Sequence, residues 1–180
     1  MEHRYRADEE RGGRLMPASP GIATVTADSP PRVPGQSDVW VHVWFHTAPD
    51  TWSVLAIVPA APGFDATNVG TELTESGRAY GIADVTLINA TGVHAEGIRG
   101  VVAACERRTA AGLKTIVVLD SAFTNPSAIA IARNANAVLL AVPLGATRIA
   151  HARRTVEVIG RERFIGAVAI GADGRPHPEG

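Results

Sequence analysis

Three apolar runs, SVLAIVP at 53–59, TIVVLD at 115–120 and AVLLAVP at 137–143, hold hydrophobic side chains with no regular alternation. A strand with one face in water alternates apolar and polar residues, so unbroken runs belong to strands covered on both faces, as in a parallel sheet between helices. Shorter runs, DVTLIN at 84–89 and FIGAVAI at 164–170, repeat the theme. Helical segments are expected between them, over about 67–76, 94–110, 126–135 and 147–159. VWVHVWF at 39–45 is read as a further strand, with Trp40, His42, Trp44 and His46 on one face and Val41, Val43 and Phe45 on the other. Gly77, Gly112 and Gly160 are placed just past helices, where a positive φ closes the turn. Strand and helix taking turns predict a three-layer α/β sandwich with a mostly parallel central sheet.

The length of 180 residues suits one domain. Residues 1–37 hold Pro17, Pro20, Pro30, Pro31 and Pro34 and few large apolar groups, and are expected to be a flexible arm before a domain at 38–172 and a short flexible tail at 173–180. With 17 basic and 18 acidic residues there is no overall field to draw the chain onto nucleic acid, and no nucleic-acid partner is expected. Polyanion binding must be local, and the only basic concentration runs from Arg148 through His151, Arg153, Arg154, Arg161 and Arg163. A single cysteine, Cys105, excludes an internal disulfide and a multi-cysteine zinc site; it is expected to fill the core, and a cytoplasmic location follows. No stretch approaches the ~18–20 apolar residues needed to span a bilayer. His42 and His46 share a face, but no third ligand is evident and no metal site is expected. On a strand, Trp40 and Trp44 would face solvent or a partner, so they are a candidate surface for self-association.

Ligands of open parallel sheets bind beyond the carboxyl ends of the strands. After the first core strand the chain reads Pro62-Gly63-Phe64-Asp65-Ala66-Thr67-Asn68-Val69-Gly70-Thr71-Glu72-Leu73; the next strand ends Leu87-Ile88-Asn89-Ala90-Thr91, and the third Val117-Val118-Leu119-Asp120-Ser121. Over residues 53–171 this arrangement resembles the bacterial tyrosine kinases of polysaccharide export, a branch of the deviant P-loop ATPases. Pro62, Gly63, Thr67, Val69 and Leu73 stand where that family's first motif has the same or a similar residue. Asp65 replaces its glycine and Ala66 its lysine, Asn89 and Thr91 replace two aspartates, and Asp120 keeps the Walker B acid. Asn136 also stands where the family has aspartate. The tyrosine-rich tail is missing, and only Asp8, Arg11 and Arg14 echo the family's oligomer motif.

These departures have physical consequences. A P-loop presents backbone N–H groups to phosphate, a lysine to the β- and γ-phosphates and a hydroxyl to magnesium. Ala66 removes that cation, and the one lysine in the chain, Lys114, sits at the amino end of its own strand. A carboxylate at position 65, ~5 Å from a phosphate charge, repels it by about 1–3 kcal/mol. Thr67 and Asp120 have equally good uses as a helix-start hydroxyl and a turn cap. The resemblance therefore implies a P-loop NTPase-like sandwich that has lost catalysis and needs no cofactor, a cytoplasmic regulator or scaffold of exopolysaccharide or capsule biosynthesis. Its implied partners are a membrane-bound co-polymerase, which would recruit it to the inner membrane face, or an active kinase relative. The alternative is a divergent ATPase or kinase that uses ATP and magnesium with residues from another subunit. A third reading is a small-anion site at the helix start near Thr67.

Overall fold

In a computed structural model, residues 38–47, 52–80, 84–172 and 174–176 are described. The proposed arm, including Asp8, Arg11 and Arg14, lies outside them, as does most of the tail. The elements run α1 (Asp38–His46), β1 (Val54–Pro59), α2 (Thr67–Ala79), β2 (Val85–Asn89), α3 (Ile98–Ala110), β3 (Lys114–Val118), α4 (Pro126–Asn134), β4 (Ala137–Pro143), α5 (Ile149–Ile159) and β5 (Phe164–Ile170). All strand pairs are parallel and the sheet order is β2-β3-β1-β4-β5. This is an α/β P-loop NTPase-like sandwich.

The apolar runs explain the order. Every residue of β1 is buried, and Leu55, Ala56, Ile57 and Val58 have no exposed surface, so β1 belongs in the middle with β3 and β4 beside it. Side chains alternate across the sheet. Leu55, Ile57, Ile116, Val118 and Leu139 pack on one face with Val69 and Leu73 of α2 and the indoles of α1. Val54, Ala56, Val58, Val117 and Val138 pack on the other with Cys105 of α3, Ile131 of α4 and Ile159 of α5. Right-handed crossovers account for this division, because the chain moves one way from β1 to β2 and the opposite way in every later step. Gly112 and Gly160 do follow helices, with φ of 73° and 115°.

Residues 39–45 are helical, and this corrects the strand expected there. Trp40 and Trp44 share a face in either geometry, because they are four apart. That face points inward: the indoles are 2% and 0% exposed, so the proposed self-association surface is core. Among the described side chains of α1, His42, Phe45 and His46 are exposed. Trp44 meets Trp52 edge to face, with ring centroids 5.9 Å apart, and Trp52 donates its indole N–H to the Thr47 carbonyl at 3.0 Å. Trp44 also lies against Gly77, where a Cβ would stand 2.7 Å from Cη2 of the indole. Gly77 is thus inside α2, which runs on to Ala79, and is a packing glycine rather than a helix terminator. Lys114 opens β3, donates to the Trp52 carbonyl at 2.7 Å and lies 4.8 Å from that ring centroid. Among the described residues no helix is long and apolar enough to cross a membrane.

Gly77→Ala is expected to lower stability by about 1–3 kcal/mol, because the indole must shift in a packed core. Gly100→Ala, in α3 with open space around its Cα, is expected to raise it by about 0.5–1 kcal/mol. Urea denaturation of both variants checks the pair.

Candidate functional site

The order reversal at β1 leaves the loops after β1 and β3 departing toward opposite faces from adjacent strands, the arrangement that forms a ligand crevice in open α/β sheets. The ends of β1, β2 and β3 and the connections that follow them meet at this rim, and they carry Gly63 to Thr67, Asn89, Thr91 and Asp120.

The β1–α2 loop turns at Gly63, with φ of 78°. Phe64 is half-buried and packs against the α1–α2 side of the core. Asp65 accepts the Thr67 backbone N–H on Oδ1 at 2.8 Å. Ala66 has no exposed surface and no side chain able to cap, so the carboxylate of Asp65 takes a donor at the start of α2 that an anion would otherwise use. The capping role expected of the Thr67 hydroxyl thus falls to Asp65. The hydroxyl of Thr67 instead accepts from Nδ2 of Asn89 at 3.3 Å.

Asn89, at the end of β2, also accepts the Thr91 backbone N–H at 3.0 Å and the Thr91 hydroxyl at 2.7 Å, both on Oδ1. The pair standing where the resemblance places two acids therefore forms a neutral, locally closed turn. Asp120, after β3, accepts two bonds on Oδ2: the Gly92 backbone N–H at 2.7 Å and Nδ2 of Asn125 at 2.8 Å. Asn125 in turn donates to the Val93 carbonyl at 2.9 Å and caps α4 by accepting the Ser127 N–H at 3.0 Å. One carboxylate thus ties the β2–α3 loop to the start of α4.

Sequence reasoning missed Asn125, although Asn125-Pro126-Ser127 is a legible helix start, with an amide cap and proline in the first turn. Asn136, a second amide where the resemblance places an acid, lies at the opposite end of the sheet, where its Oδ1 accepts the N–H groups of Ser53 and Val54 at 3.2 and 2.9 Å. Also missed was Arg175. It follows β5 in a turn closed by the Gly171 N–H on the Arg175 carbonyl at 2.7 Å, and its charge is felt by Glu72 of α2. Burial, and after it the neighbouring Glu75, push the Glu72 pKa up, against a smaller lowering influence from Arg175.

Two cavities lie away from this rim. One, of about 330 Å³, is lined by Val54, Cys105, Val117 and Ile131 beneath α3 and α4, and burial there pushes the Cys105 thiol pKa up despite Arg108. The other, of about 490 Å³, is a groove between α1 and β5, where His42 and His46 join Val39, Val43 and Ile165. His46 donates from Nδ1 to the His42 carbonyl at 3.0 Å, and the described residues contain no group of three or more metal-binding side chains.

The chain matches no family model, no curated protein and no solved structure. What the rim can do chemically follows from its own groups. It offers one carboxylate on a helix start, one carboxylate tied to two donors, and hydroxyls and amides engaged with one another.

Asp120→Ala is expected to cost about 2–4 kcal/mol, since two hydrogen bonds to a charged acceptor are lost. Asp120→Asn should retain part of this. Thermal and urea unfolding without added metal provide the check.

Proposed function

We propose that this chain is a catalytically inactive P-loop-like domain that acts as a regulator or scaffold through its surfaces, in exopolysaccharide or capsule biosynthesis. One observation carries the loss of catalysis: the Asp65 carboxylate sits on the Thr67 N–H, followed by a buried Ala66 at the position of the phosphate-binding lysine. Phosphoryl transfer relies on positioned positive charge around the transferring group. A loop that supplies a negative charge there, with amide and hydroxyl in place of two acids, opposes both nucleotide binding and magnesium. The association with polysaccharide assembly rests on the motif resemblance over 53–171. With it come the proposed partners, a membrane-bound co-polymerase or an active kinase relative, and a cytoplasmic location.

A second reading is a divergent nucleotide-binding ATPase or kinase that uses residues from another subunit; what favours it is Asp120, the acid kept just after β3, beside the strand that leads into the β1–α2 loop. The two readings differ in a simple titration. Calorimetry and thermal shift with ATP or ADP, with and without magnesium, are expected to show no binding at millimolar nucleotide. Micromolar binding would establish the second reading instead. The double substitution Asp65→Gly with Ala66→Lys is expected to restore measurable nucleotide affinity with little turnover, because Asn89 and Thr91 remain.

A further inference from the structure

Among the described residues the exposed large apolar side chains are Phe45, Phe123, Leu144, Ile149 and Ile165. Three of them surround the start of α5. Leu144 opens the β4–α5 loop, which turns through Gly145 at φ 78° and closes with the Thr147 N–H on the Pro143 carbonyl at 3.1 Å. Ile149 is the first residue of α5 and is 79% exposed. The Phe123 ring lies 4.8 Å from the ring of His151, two residues further along the same helix.

Basic groups flank this apolar tip. Arg148 precedes Ile149, and Arg153 follows it one turn later on the same exposed side of α5. Neither has a carboxylate within ion-pair distance among the described residues; Glu157 is taken by Arg154 at 3.5 Å, and Glu162 lies beside Arg163. The opposite side of the helix, Thr155 and Ile159, is buried against the sheet, so the outward arc is fixed.

We propose that this rim docks the domain peripherally on an anionic bilayer, with Leu144 and Ile149 inserted among the headgroups and Arg148 and Arg153 on lipid phosphates. Charge complementarity selects the occupant, and the protruding tip selects its kind. A branched aliphatic side chain that is four-fifths exposed gains by entering the boundary between headgroups and acyl chains, while guanidinium groups beside it gain from phosphate. Nucleic acid would reward the arginines but set Ile149 and Leu144 against a charged backbone. The contact is independent of whether the β1–α2 loop binds nucleotide.

The test is sedimentation of the full chain with vesicles of phosphatidylcholine alone and of phosphatidylcholine mixed with phosphatidylglycerol, at low and high salt. Binding is expected only to the mixed vesicles and is expected to weaken with salt. Ile149→Asp should reduce it by about tenfold or more. Arg148→Ser with Arg153→Ser should reduce it by about fivefold per arginine removed. Leu144→Ser is a second apolar variant, circular dichroism verifies the fold of each, and Arg161→Ser, beyond the far end of α5, should change little. Equal binding to neutral vesicles, no binding to anionic ones, or indifference to both apolar variants would overturn the proposal. So would binding of polyglutamate or of nucleic acid by this rim without binding of vesicles.

Discussion

The sealing of β1 on both faces is the constraint from which the rest of the architecture follows. With Leu55, Ala56, Ile57 and Val58 inaccessible, the strand needs a neighbour on each edge and helices above and below. Each such side chain larger than alanine contributes about 1.5–3 kcal/mol by leaving water, so no arrangement with β1 at an edge competes. The backbone N–H of Val54 where the strand begins is met by the Asn136 amide, which also fixes where β4 starts relative to it. With β1 in the centre, the chain leaves for β2 at the edge and returns through β3. That reversal brings the loops carrying Asp65, Asn89 and Asp120 to a common rim.

The parts of the fold that were legible in the sequence are those where one local pattern has one physical meaning. Unbroken apolar runs located β1, β3 and β4 within two residues, and the alternation of strand and helix implied the parallel sheet. The segment 39–45 was ambiguous because Trp40 and Trp44 lie on one side of either a strand or a helix. The segment is helical, and Gly77 leaves space on α2 for its Trp44 indole. A glycine kept for the sake of a distant side chain looks, in sequence, like a glycine that ends a helix. Gly70 is similar, since a Cβ there would collide with Val118 and Leu87 of the sheet.

At the rim, the carboxyl ends of the parallel strands indicated which segments meet but not how their polar atoms are shared. The charge on Asp65 suggested only repulsion; its hydrogen bond to Thr67 is a feature of loop geometry. Asp120 was readable as an acid at the end of a strand, while its partners, Gly92 and Asn125, lie 28 and 5 residues away and only the fold brings them together. The basic concentration on α5 was visible as composition. Its distribution into paired Arg154 and the Arg148–Arg153 flank of an exposed isoleucine needed the helix phase and the neighbouring carboxylates.

The hydrogen bond from Thr67 to Asp65 has a consequence for regulation. Nucleotide-driven switches work because an anion stabilises one arrangement of a loop over another, and a ligand shifts an equilibrium only by its differential affinity for the two states. A loop whose own carboxylate occupies a helix-start donor leaves an incoming anion one donor fewer to bind. On the proposed reading, the surfaces around the rim are then presented at all times, and control of this domain falls to its abundance and to where it is held, independent of the energy charge of the cell.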